Sequence, residues 1–386
     1  MISTSYVSEN ICGLICATFI SDICTLKFPA LSKVRFTGRQ TPFYDELKSE
    51  VDSYFQTAKT AKTGDFRLYL KSIIIMTSLL GLYVVLVFFT PSNGIAMALS
   101  AVFGFTLALV GMNIMHDACH GSFTDSPKWN NFFGYSMNFL GSNQFIWKIK
   151  HNRIHHTYTN VDGVDDDIIK VPVLRHCESQ PWKKVHKFQH VYAVLLYGIS
   201  TILWVLFTDN QKYFKKEISG TPMGHIPFKE HFIFWFTKVV YIGFYIVVPI
   251  IYVGFTKFIV GYLIANFVFG IVLSLVFQLA HAVDVTHFEN ATVKDVVVET
   301  EWAMHQVKTT ADFAPKSPIA NWICGGLNFQ VVHHLFPNVS HVHYRSLQPI
   351  VARVCAKHDV KYNVFPTFGE AVASHFRYMR ILGERE

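Results

Sequence analysis

The stretch "IAMALSAVFGFTLALVGMNIMHDACHGSF", Ile95 to Phe123, is apolar as far as Met115 and then turns abruptly to His116, Asp117 and His120. Its apolar part is close to the ~20 residues that a bilayer-spanning helix needs. Imidazoles therefore stand at the water end of a membrane helix. Three other runs match it in length and character: Ser72–Thr90, Phe232–Val253 and Ile259–Ala280. The first two of the four runs are joined by "PSNG" and the last two by "GFTKF", so each pair reads as a tight helical hairpin.

Composition agrees with a lipid-embedded chain. Of 386 residues 51% are apolar and 16% charged, against roughly 25% charged in an ordinary soluble domain. The runs are spread along the chain without a Gly-, Ser- or Pro-rich linker, so residues 27–386 read as one all-α membrane unit behind a leader, residues 1–26, of unassigned role. The net charge of +7 suits anionic headgroups or an acidic electron carrier and is too diffuse to indicate nucleic acid. The seven cysteines are scattered and never form CxxC, as expected of reduced thiols.

Lys27, Lys33, Arg35, Arg39, Lys48, Lys59, Lys62, Arg67 and Lys71 precede the first run, while the hairpin tips carry at most Lys257. By the positive-inside rule the tips face outward and the rest faces the cytoplasm, in a bacterial inner membrane or the endoplasmic reticulum. Two shorter apolar stretches, Phe132–Trp147 and His190–Phe207, compete as spans. The histidine-rich segments all meet on one side only if neither crosses, so both are read as interfacial or re-entrant helices.

Those segments are "HDACH", "HNRIHH" and "QVVHH". On a helix, residues four apart share a face, which pairs His116 with His120 and His151 with His155. His156 is turned about 100° from His155 and is free to reach a second ion. His333 and His334 diverge in the same way, with Gln330 one turn earlier, and His281 at the end of the fourth run is an eighth candidate. Structural zinc needs only four ligands and favours thiolates. Imidazole suits iron and copper alike, so ligand type leaves that choice open. A pair of irons with an open face connects the ligand number to a membrane setting, because it can bind dioxygen and attack a lipid C–H bond.

"HDACH", "HNRIHH" and "GGLNFQVVHHLFP" resemble the three histidine boxes of the membrane fatty acid desaturases, and the Gln opening the third box resembles the front-end subgroup. The similarity runs from "LKFPALSKVRF" to the C-terminus. It implies a non-haem di-iron centre with histidine ligands on the cytoplasmic side and oxygen-dependent insertion of a double bond into an acyl chain, carried on coenzyme A or on a lipid; with the four apolar runs this makes an all-α membrane protein of four transmembrane helices in two hairpins under a cytoplasmic cap. Carried over by position, the ligands are His116, His120, His151, His155, His156, His333 and His334, with His281 as the additional one. Gln330 stands where related enzymes have a further His, which leaves weak ligation, a water-bridged contact or shaping of the substrate bend. The HPGG mark of the haem domain that front-end enzymes usually carry is missing, so electrons are expected from a separate ferredoxin or small cytochrome.

A ligating imidazole usually donates its other N–H to a carboxylate or carbonyl. Asp117, Asp162, Asp165, Asp166 and Asp167 are the candidates for that task, a solvated acidic loop being the alternative. His305, Gln306 and Lys308 in "WAMHQVKTTADF" are candidates for the substrate headgroup. His341 and His343 in "SHVHY" read as surface imidazoles or as supports behind the ligands. Two rivals remain: a lipid hydroxylase with the same iron site, and a histidine-lined metal transporter, although transporters usually place ligands near the bilayer midplane.

Overall fold

Gly254, at φ +82°, breaks the backbone between two apolar helices, α8 (Phe228–Val253) and α9 (Phe255–His281). A residue with a side chain rarely adopts that conformation. The computed structural model describes residues 34–36, 42–168, 171–290, 297–298 and 300–384, so the expected leader lies outside the described residues. Among them the chain is mostly helical, with four short two-stranded pairings.

Among the described residues five helices are long and apolar enough to cross a membrane: α2 (Phe66–Phe89), α3 (Asn93–His120), α7 (Lys184–Lys215), α8 and α9. The four expected runs fall within α2, α3, α8 and α9, except that Thr90 lies one residue past the end of α2. The fifth is longer than the sequence reading allows. His190–Phe207 reads in the sequence as a short interfacial or re-entrant helix, but α7 continues for 32 residues because polar turns extend it at both ends. Asp209 secures the later turns by accepting from Trp204 Nε1 at 2.9 Å and Ser142 Oγ at 2.5 Å. Phe132–Trp147 is not one helix. It is divided among α4 (Pro127–Gly134), α5 (Ser136–Phe139) and α6 (Gln144–Trp147).

α9 is the central post. A Cβ on Gly104 of α3 would stand 2.0 Å from the Ala265 carbonyl oxygen, and one on Gly270 would stand 2.3 Å from that of Tyr197 in α7. Small residues thus let both neighbours approach α9 at backbone distance, as helices in lipid commonly do. The outward faces stay apolar and exposed, with Ile73, Leu80, Val239 and Ile251 all more than half accessible.

The polar cap is built from α1 (Pro42–Ala58), α10 (Trp302–Thr309), α11 (Pro318–Ile323), α12 (Gln330–Leu335), α13 (Tyr344–Lys357) and α14 (Phe368–Gly383). Phe43, Leu47, Val51 and Phe55, at helical spacing, bury one stripe of α1 with Leu347, Val351 and Val354 of α13. Parallel pairing of Val161–Asp162 with Glu289–Asn290, and of Asp312–Phe313 with Val364–Phe365, ties the loops together around the histidine-bearing segments.

Candidate metal centre

Each histidine segment is placed by a local device. α3 widens into a π-helical turn over Gly111–Met115 immediately before His116, and Gly121 at φ +78° ends it after His120. The second segment is itself π-helical, Lys148–His155. His281 is the last residue of α9. α12 carries His333 and His334, and its first turn is pinned by the Val331 amide donating to Asp312 Oδ1 at 2.9 Å. Gly325 and Gly326, both at positive φ, lead into it so closely that Cβ atoms there would lie 2.4 Å from the Met112 carbonyl oxygen and from His341.

The structure brings all eight histidines together, every one no more than 8% exposed. His116, His120, His151 and His333 form one group and His155, His281 and His334 a second, with ligand atoms inside each group within 4.8 Å of one another. His156 joins them, sharing a third group with His333 and His334. This divides the second box differently from the helical expectation. His151 and His156, five apart, face each other with Nε2 atoms 3.3 Å apart, whereas His155 turns to the other group. The cause is the π-helix, in which residues five apart stack one turn on.

The inward nitrogens have no protein partner among the described residues: His116, His120, His155, His333 and His334 through Nε2, His156 through Nδ1, and His281 through both. An unsatisfied buried polar atom costs about 1–3 kcal/mol, so a cluster of them signals something else to bind. Burial, then neighbouring imidazoles, hold His156, His333 and His334 well below the usual histidine range; burial does the same for His151 despite Asp167. They are neutral and competent as ligands. His155 differs: burial lowers it, but Asp165 and Asp167 together raise it above the usual histidine range.

The outward nitrogens are engaged. His151 Nδ1 meets Asp167 at 2.8 Å and His155 Nδ1 meets Asp165 at 2.9 Å. His333 Nδ1 meets the Tyr344 hydroxyl at 3.0 Å, and His334 Nδ1 meets Gln306 Oε1 at 2.9 Å with Thr159 at 3.1 Å. Asp117 reaches away, accepting from Ser340 Oγ and from His341, whose Nδ1 is 2.9 Å distant. Asp162 and Asp166 do not reach the histidines: the first accepts from Ser179 at 2.6 Å, the second from Ser219 at 2.6 Å and from Lys212. His305 and Gln306, expected at a headgroup, point inward and are buried. His305 Nε2 lies 2.8 Å from the Thr159 carbonyl oxygen, and only Lys308 of the three is exposed. Gln330 is buried, and neither of its amide atoms has a partner among the described residues.

The sequence profile of the fatty acid desaturase family matches residues 91–366, which include every one of these histidines. The chain belongs to that family. It is 36% identical over 351 residues to the acyl-lipid (8-3)-desaturase of Physcomitrium patens, covering 89% of this chain and 72% of the relative. It is 32% identical over 361 residues to the sn-1 linoleoyl-lipid 6-desaturase of Synechocystis sp., covering 91% and 98%. A probable Delta(5) fatty acid desaturase C of Dictyostelium discoideum is 30% identical over 377 residues, covering 95% and 80%. This chain is therefore a desaturase, an oxidoreductase with a buried histidine cluster suited to metal.

Three contacts of the desaturase escape sequence reasoning: Tyr344 on His333, Thr159 on His334, and Trp147 stacked on His151 with centroids 4.3 Å apart. Tyr344 could have been suspected from its place beside "HVH". Nothing in the sequence marks the other two.

Proposed function

We propose that this enzyme inserts a double bond into an acyl chain of a membrane lipid, using dioxygen and two irons held by His116, His120, His151, His155, His156, His281, His333 and His334. The observation that carries the reading is the pair of imidazole groups, most of whose inward nitrogens have no protein partner among the described residues. Two linked groups exceed what one structural zinc needs. Acyl-lipid substrates are favoured by the names of the relatives. Those names, with Gln330, also favour a new bond on the carboxyl side of existing ones.

When bound, the irons supply reduction of dioxygen and removal of two hydrogens from neighbouring methylenes. The protein's part is orientation and exclusion of water. Asp167 and Asp165 accept from the Nδ1 sides of His151 and His155, Tyr344 supports His333, and Gln306 with Thr159 fixes His334. Asp117 fastens the end of α3 to the segment after the third box. Gln330 is left to ligate weakly or to shape the substrate bend. The methyl end of the chain occupies an apolar cavity of about 310 Å³ walled by α2, α3, α8 and α9, with Leu107, Leu140 and Phe269 among its lining residues. Lys308 is the remaining headgroup candidate.

The unit is residues 27–386, with the irons on the cytoplasmic face of a bacterial inner membrane or the endoplasmic reticulum. Four helices cross. His155 and His281 lie with ring centroids 4.8 Å apart, so the chain between them crosses an even number of times, although three candidate helices intervene. α7, with Lys183, Lys184 and Lys187 at one end and Lys212, Lys215 and Lys216 at the other, is the one that does not complete a crossing.

The test is expression in a host lacking polyunsaturated lipids, followed by location of the double bonds in each lipid class and iron analysis of the purified protein. Loss of two hydrogens from an acyl-lipid, with two irons per chain, is the expected result. A gain of one oxygen identifies a hydroxylase, and a single zinc overturns the proposal.

A further inference from the structure

A second requirement follows from the burial of the centre: a protein that donates electrons cannot touch it. We infer that Trp302 is the bridge by which a small one-electron carrier protein reaches the histidine centre, an inference that rests on the di-iron reading above. Trp302 opens α10 and is only partly buried, with its ring edge-on to Tyr44 of α1 at 5.6 Å. Its Nε1–H donates to the carbonyl oxygen of His156 at 3.0 Å. The ring thus reaches from the protein surface to the backbone of a ligand through one hydrogen bond.

The other aromatic residues in contact with the cluster do not offer this. Trp147 stacks on His151 and Tyr344 bonds His333, but they are 4% and 2% exposed. Phe277, near His151, belongs to the apolar bundle. His156 also borders both halves of the centre. Its ring lies 4.7 Å from those of His120 and His333 and 4.4 Å from that of His334.

In each encounter one electron leaves the reduced carrier and converts one ferric ion to ferrous. Trp302 neither gains nor loses an electron overall, and no bond or proton moves at its ring. Two such transfers, with two protons, balance the reaction of dioxygen and two acyl hydrogens to a double bond and two waters. The contact area a transient redox encounter requires is small, under about 1,200 Å².

The full chain, wild type and Trp302→Phe, is purified with its iron and oxidised, and its reduction is followed by stopped-flow spectroscopy. Dithionite, a plant-type [2Fe–2S] ferredoxin and cytochrome b5 serve as separate reductants. Trp302→Phe keeps an aromatic ring but loses the indole N–H and with it the bond to His156. Iron content and the dithionite rate are expected to be unchanged, while reduction by whichever carrier serves the wild type falls by about tenfold. Tyr44→Ala, which leaves the bond to His156 intact, is expected to raise the carrier concentration needed for half-maximal rate, and it decides the matter if Trp302→Phe does not fold. Unchanged carrier rates in these variants overturn the inference. So does loss of iron from Trp302→Phe, which would make the ring a structural prop, and so does a wild-type centre that dithionite reduces but neither carrier does. A wild type holding no reducible iron sinks the di-iron reading beneath it.

Discussion

Asp165, Asp166 and Asp167 are consecutive and chemically alike, yet only two of them touch imidazoles. Asp167 is pulled well below the usual carboxylate range despite burial, by Lys150 at 2.5 Å and by His151. Asp167→Asn should therefore weaken iron binding by roughly 10–100-fold, the usual cost of losing a support behind a ligand, as read by iron titration. Asp166→Asn should leave iron content unchanged and lower the melting temperature in detergent, since it strands Lys212. Asp312 is perturbed the other way, raised to about 7 by burial even though Tyr362 and the Val331 amide donate to it. The folded chain then keeps this proton up to about pH 7, whereas the unfolded chain releases it near 3.8. Folding takes up a proton in that window, so stability from this group is fully present at low pH and lost as pH rises through 7. Asp312→Asn cannot ionise. Melting curves should show the wild type gaining on this variant as pH is lowered from about 7.5 to 5.

At the level of elements, the π-helix over Lys148–His155 decides which imidazoles can share an ion. A π-helical turn amounts to one residue more than an α-turn, and it is what brings His151 and His156 face to face. One Ala inserted after Asn152 would set His151 and His156 six apart, off a common face, and should abolish iron binding, while circular dichroism shows the helical content kept. Apolar length and four-residue spacing are local properties, and for that reason α2, α3, α8, α9 and the His116–His120 pair were legible in the sequence. The π-helix has no compositional mark, so the division of the second box was not. α7 was cut short because its end turns are polar. The inward turn of His305 and Gln306 was hidden because it depends on Thr159 and His334, far away in the chain.

Across the whole molecule, the closeness of His155 and His281 makes the topology testable. Cysteines placed singly at Gln180 and Gly220, either side of α7, should react with an impermeant reagent from the same face of sealed vesicles. Cysteines at Asn93 and Lys257 should react from the opposite face. Labelling of Gln180 and Gly220 from opposite faces would show that α7 crosses. The same closeness governs biogenesis. The imidazoles span positions 116 to 334, Asp117 is latched by Ser340 and His341, and His375 of α14 closes on the Ala282 carbonyl oxygen beside His281. A ribosome that has threaded every apolar helix into the bilayer still holds an unfinished cage. On the di-iron reading, a nascent chain stalled before its final fifty or so residues emerge should reach the membrane without metal.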